Sequence, residues 1–150
     1  MVTVGRFERI LLPVDFSSDC DVVAHHAAWF ATTAGGTVHL VHVIVNPLDD
    51  LYQTHALPPL QVVDAAEAKA FSLLRAVAER CLPATVTRVL HVRHGDAYEK
   101  IRAVVQEIEP DLIVLSTHGR GGIAHLLIGS VAEKIVRHTP CPVFIVPRQR

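Results

Sequence analysis

The residues with the clearest chemical use lie between Leu112 and Ser130. The apolar run Leu112-Ile113-Val114-Leu115 leads into Ser116-Thr117-His118-Gly119-Arg120-Gly121-Gly122, and the segment closes on Gly129-Ser130. This pattern predicts a short buried strand, a glycine-rich loop and the first turn of a helix. Glycines let backbone N–H groups approach an anion closely, and a helix start adds unpaired donors and a partial positive charge. The chemistry implied is the holding of a phosphorylated small molecule, a nucleotide first among them. A second polar run, Asp15-Phe16-Ser17-Ser18-Asp19, follows another short apolar stretch, Ile10 to Val14.

The elements that must position these runs alternate in type. Ile10–Val14 reads as the first strand, with Pro13 at its end because proline cannot donate to a ladder. A helix follows to about Ala34, packed through Ala24, Ala27, Ala28 and Ala31 and stopped by Gly35-Gly36. Thr37 to Val45 is rich in β-branched residues and reads as the second strand. Asn46 to Pro59 holds three prolines and reads as a long loop, of a length that often serves as a lid. Leu60 to Cys81 is a helix with Phe71, Leu74, Ala78 and Cys81 on one face. Thr85 to Val92 is the third strand. Gly95-Asp96 caps a third helix with the stripe Ile101, Val104, Val105 and Ile108, ended by Pro110. A last helix runs from near Ser130 to about Arg137, and Val143 to Val146 is the fifth strand.

Short apolar strands alternating with helices predict a parallel sheet covered on both faces, in one α/β domain spanning 1–150. Ligands in such sheets sit beyond the carboxyl ends of the strands, where the strand order reverses. The loops at Asp15 and at Thr117 both follow strand ends, so they line one crevice if those strands are neighbours.

The bulk numbers narrow the partners. Of 150 residues, 50% are hydrophobic and 19% charged, with a formal net charge of -1. That leaves no basic excess to grip nucleic acid. No apolar run reaches the ~20 residues of a membrane span. Met1 to Glu8, with no long apolar segment before a small-residue cleavage site, does not read as a secretion signal. Cys20, Cys81 and Cys141 are three in number and widely spaced, which argues against a disulfide framework and for the cytoplasm.

On these residues the chain resembles the universal stress protein family over nearly its whole length. The resemblance rests on Pro13-Val14-Asp15-Phe16-Ser17 and Val41-His42-Val43. It rests also on Ser116-Thr117-His118-Gly119 with nine residues before Gly129-Ser130, and on Thr139-Pro140-Cys141-Pro142-Val143. The family's nucleotide-binding pattern is Gly, two residues, Gly, nine residues, Gly, then Ser or Thr. This chain departs at its first position, where Ser116 either crowds the ribose or phosphate or donates to them. The resemblance implies an open, Rossmann-like sheet in the order 3-2-1-4-5. It implies a homodimer through the last strand, Val143, Phe144, Ile145 and Val146, and ATP or AMP, with or without Mg²⁺, in the crevice. Pro13, Asp15 and Val43 would hold the adenine, with Asp15 accepting from its exocyclic amine, and Val14 beside them would also belong to the nucleotide site. Leu115, Ser116, Thr117, His118 and Gly119 would run under ribose and phosphates. Arg120, Gly129, Ser130 and Val131 would meet the phosphates. The implied role is a regulatory or sensing one in the stress response rather than a catalytic one. A dimeric interaction module with a vestigial crevice, or a slow nucleotide hydrolase, is the alternative.

Plainer and rival readings attach to the same residues. Asp15 fits a cap of the first helix, and Ser130 with Glu133 fits a capping box. Gly119-Arg120-Gly121-Gly122-Ile123-Ala124 matches G-x-G-x-x-A but follows the fourth strand, not the first. Arg93-His94-Gly95 sits too late in the chain for a histidine phosphatase, which leaves His94 as a polar strand end. No Gly-Lys-Ser/Thr, Cys-x-x-Cys, His-Glu-x-x-His or Gly-x-Ser-x-Gly is present, so a P-loop is excluded and no zinc site or catalytic triad is expected. His39 and His42, three apart on a strand, face opposite sides. The cysteines have no basic neighbours in sequence and read as core.

Overall fold

In the computed structural model, residues 6–45, 60–117 and 128–147 are described. The expected loop at 46–59 and His118, Gly119, Arg120, Gly121 and Gly122 lie outside the described residues. Among those described, the elements are β1 (Arg9–Pro13), α1 (Cys20–Ala34), β2 (Thr37–Ile44), α2 (Leu60–Cys81), β3 (Thr87–His94), α3 (Ala97–Ile108), β4 (Leu112–Ser116), α4 (Ser130–His138) and β5 (Val143–Val146). The strands form one sheet in the order β3-β2-β1-β4-β5, and every pairing is parallel.

Alternate residues of each strand feed two cores. Ile10, Leu12, Val38, Leu40, Leu112 and Val114 pack against α1 and α2. Leu11, Val41, Val43, Ile113 and Leu115 pack against α3 and α4. The alanine face of α1 makes this close approach possible: Ala24, Ala27, Ala28 and Ala31 are all buried. Its C-cap is Gly35 in the left-handed region (φ 71). At α3, Asp96 accepts from the Glu99 N–H at 2.9 Å and caps the helix as expected.

Three expectations are corrected. β3 begins at Thr87 rather than Thr85 and runs on to His94. The preceding residues are used in a turn, in which the Val86 N–H donates to the Pro83 carbonyl at 3.0 Å. Asp15 does not cap α1, which opens five residues later with Asp19 at the N-cap position. Ser130 is not an N-cap and forms no capping box. Gly129 takes the N-cap, Ser130 is the first helical residue, and the Glu133 carboxylate turns away to Arg137, 3.0 Å from its Nε.

His39 and His42 do face opposite sides of the sheet. His39 meets His91 of β3 on the α3 side, with Nδ1 and Nε2 3.1 Å apart. One nitrogen must donate and the other accept, so at least one ring is neutral. Burial pushes both rings below their ordinary value of 6.5. Arg9 adds to this at His39, and His39 and Arg93 add to it at His91, while Glu107 opposes. The folded state therefore binds fewer protons than the unfolded chain, and stability rises with pH. This contribution is whole above about pH 6.5 and falls away as the pH drops from there to the lowered values. The two carboxyls held below their ordinary value of 3.8, Asp21 by its hydrogen bond from Arg80 and Asp111 by hydrogen bonds from Arg9 and Glu8 that outweigh burial, change stability only in a more acidic window. The melting midpoint should fall between pH 7.5 and pH 5.5, and fall less in His91→Gln. Equal acid sensitivity in the variant would remove the pair from this account.

Candidate functional site

β1 and β4 lie side by side at the sheet's centre, yet their outgoing connections lead to opposite halves of the sheet. Their carboxyl ends therefore open a crevice, the switch point of a doubly wound sheet. Its volume is about 740 Å³. Pro13, Val14, Asp15 and Ser17 line it from β1 and the loop after it. Val41, His42 and Val43 line it from β2, Leu115 and Ser116 from β4, and Gly129, Ser130 and Val131 from the start of α4.

Nine of the thirteen expected site residues thus share one cavity: Pro13, Val14, Asp15, Val43, Leu115, Ser116, Gly129, Ser130 and Val131. Thr117 is not among the lining residues but ties the site together. Its N–H donates to the Val146 carbonyl at 3.2 Å, and its own carbonyl accepts from the Gly129 N–H at 2.6 Å. That second bond fixes the start of α4 against the end of β4. His118, Gly119 and Arg120 lie outside the described residues.

The loop after β1 is held from both sides. The Val14 N–H donates to the Val41 carbonyl at 2.8 Å. The Asp15 carboxylate accepts from the Ser17 N–H at 2.9 Å, closing a tight turn. Because this turn holds Asp15 ahead of α1, its carboxylate stands at the crevice instead of on a helix end. The Ser17 hydroxyl is buried and has no hydrogen-bond partner among the described residues.

Cys20, Val23 and His42 also line the crevice, and the sequence reading assigned none of them a place there. The one signal for His42 in the sequence is strand parity, which sets it on the face opposite His39. Burial pushes the Cys20 thiol up to about 12, so it contributes apolar wall rather than a nucleophile. Cys81 is likewise buried, and Cys141 is half-buried against the α3–α4 core. The described walls thus combine apolar side chains from Pro13, Val43 and Leu115 with the Asp15 carboxylate and the start of α4. That set fits a flat base beside an anionic group.

No helix among the described residues is long and apolar enough to cross a membrane. Comparison with known proteins agrees with the architecture. No curated protein matches the chain by sequence. Among solved structures, the hypothetical protein MJ0577 superposes with a TM-score of 0.83 at 21% identity, over 97% of this chain and 99% of that one. The universal stress protein UspA from Lactobacillus plantarum superposes with a TM-score of 0.72 at 25% identity, over 95% and 99%. A universal stress protein in complex with cAMP gives 0.66 at 16% identity, over 95% and 98%. The family model of the universal stress protein family matches residues 6–147, and the chain belongs to that family.

Proposed function

We propose that this chain is a cytoplasmic adenine-nucleotide-binding protein of the stress response. In this reading it holds AMP or ATP, the latter with Mg²⁺, and acts by regulation or sensing rather than by turnover. The observation that carries the proposal is the crevice between β1 and β4, where the Asp15 carboxylate, an apolar slot and the start of α4 stand together. Asp15 would accept from the exocyclic amine of adenine, Val43 would line the ring, and Leu115 would run under the ribose. The Gly129-Ser130 helix start would face the phosphates, joined by Arg120 as a delocalised cation. The bound cAMP in a structural relative supports the same ligand class. Ser116, standing where the family pattern has glycine, would offer its hydroxyl to the ribose or phosphate.

Thermal unfolding of nucleotide-stripped protein tests this reading. Ligand at 100 times its dissociation constant adds about 2.7 kcal/mol, which should raise the midpoint by roughly 5–11 °C. AMP or ATP-Mg²⁺ should produce the shift and GTP should not. No shift with any adenine nucleotide would turn the reading to the alternative, an interaction module with a vestigial crevice.

The same reading includes a homodimer through β5. This strand is an edge of the sheet. Its residues Val143, Phe144, Ile145 and Val146 are all apolar, and Phe144 is 36% exposed. Open apolar edges tend to pair. The mass in solution should be twice the 16.4 kDa of the chain, and Ile145→Lys should return it to the monomer value. A monomeric wild type at micromolar concentration would remove the dimer.

A further inference from the structure

The loop that carries Asp15 is held by a side chain from another strand. His42 lies in β2, and its Nδ1 is 2.7 Å from the Val14 carbonyl oxygen. A carbonyl only accepts, so Nδ1 carries the hydrogen. Since the Val14 N–H already donates to Val41, β2 grips both backbone polar groups of Val14, the residue just before Asp15. The residue just after Asp15 is gripped as well. Phe16 has φ 58, a left-handed conformation rare for a side chain with a Cβ. Its ring packs on the His42 imidazole with centroids 4.4 Å apart. Such backbone persists only where its surroundings enforce it. The His42 ring is part of those surroundings, together with the α1-side core and the Asp15–Ser17 turn, and it also lines the crevice.

We propose that His42 is a positioning residue for base selection. By holding Val14 and Phe16 on either side of Asp15, it aims the carboxylate that distinguishes a 6-amino purine from a 6-oxo purine. This rests on the adenine-nucleotide reading above. His42 acts through Asp15, so its loss should erode discrimination more than general affinity.

The test compares AMP with inosine monophosphate, which carries a carbonyl in place of the 6-amino group. Both affinities are measured by calorimetry in the wild type, Asp15→Ala, His42→Asn and His42→Gln. The asparagine amide nitrogen can occupy the place of Nδ1 and donate to Val14. The glutamine amide is one carbon further out, nearer the place of Nε2. The wild type should prefer AMP, and Asp15→Ala should erase the preference. His42→Gln should reduce it about tenfold, while His42→Asn should restore most of it. Equal preference in the asparagine and glutamine variants, or a loss of affinity for both nucleotides in parallel, would overturn the role of His42. If Asp15→Ala erases the preference and neither His42 variant moves it, the proposal for His42 fails alone. If the wild type prefers neither nucleotide or binds neither, the adenine reading fails and takes the proposal with it.

Discussion

Gly36→Ala should lower the melting midpoint by roughly 6–12 °C, the temperature equivalent of about 3 kcal/mol. The cause is backbone rather than side-chain crowding. A Cβ at Gly36 would stand 2.3 Å from the Phe7 carbonyl oxygen, 3.1 Å from that of Glu8 and 3.2 Å from the Glu8 carbonyl carbon. None of these is the far end of a flexible side chain. The neighbouring hydrogen bonds leave little room to yield. The Gly36 N–H donates to Ala31 at the end of α1, and the Thr37 N–H donates to Glu8 at the start of β1. The N–H groups of Glu8 and Arg9 are in turn held by the Asp111 carboxylate, at 3.1 and 2.9 Å. A shift at Phe7–Glu8 would therefore disturb the register of β1 with both of its neighbours. Gly35, one residue earlier, has φ 71 and nothing within 4 Å of a built Cβ. Its requirement is conformational, and asparagine tolerates that region. Gly35→Asn should therefore cost less than about 1 kcal/mol. Denaturant or thermal melts of the two variants settle the contrast. A Gly36→Ala midpoint equal to that of the wild type would mean that the start of β1 moves freely.

These two glycines show what the sequence exposes and what it hides. Both read as a helix stop, and Gly35 is one. That Gly36 is pressed against a strand start almost thirty residues earlier depends on how β1 and β2 lie together, which no local pattern carries. The alternation of strands and helices was legible because each element has its own period. The small face at Ala24, Ala27, Ala28 and Ala31 and the stripe at Ile101, Val104 and Val105 mark their burial directly. Most of the crevice was legible because its residues sit at strand ends and at one helix start. The misread residues were those whose type suits two local jobs. Asp15 and Ser130 both satisfy cap preferences, and only the true helix starts at Cys20 and Ser130 decide against capping. The His42–Val14 and His39–His91 contacts join residues 28 and 52 positions apart. Strand parity assigned each histidine a face, but a partner follows only from strand order and register.

The crevice itself yields a pair of substitutions that should both weaken AMP binding but differ in their effect on the stability of the unliganded protein. Asp15→Ala removes the acceptor proposed for the adenine amine. A hydrogen bond to a charged group is worth about 1.5–3 kcal/mol, so AMP affinity should fall by about ten- to a hundredfold. The variant also loses the turn in which Asp15 accepts from the Ser17 N–H, so its unliganded form should melt lower than the wild type. Asp15→Asn keeps one acceptor oxygen, enough for the Ser17 N–H or the adenine amine but not both, and should lie between the two. Ser17→Ala behaves differently, because the Ser17 hydroxyl is buried with no partner among the described residues. An unpaired buried hydroxyl carries a desolvation penalty of about 1–3 kcal/mol. Removing it should leave the unliganded protein at least as stable as the wild type. If the nucleotide satisfies that hydroxyl, the same change should still weaken binding by about 2–10-fold, a neutral hydrogen bond's worth of about 0.5–1.5 kcal/mol. Melting curves without ligand and titrations with AMP separate the two effects. A Ser17→Ala protein that melts lower yet binds AMP undiminished would make the hydroxyl a structural group. One that is no less stable but binds AMP more weakly would show a polar atom kept at a stability cost because the ligand needs it.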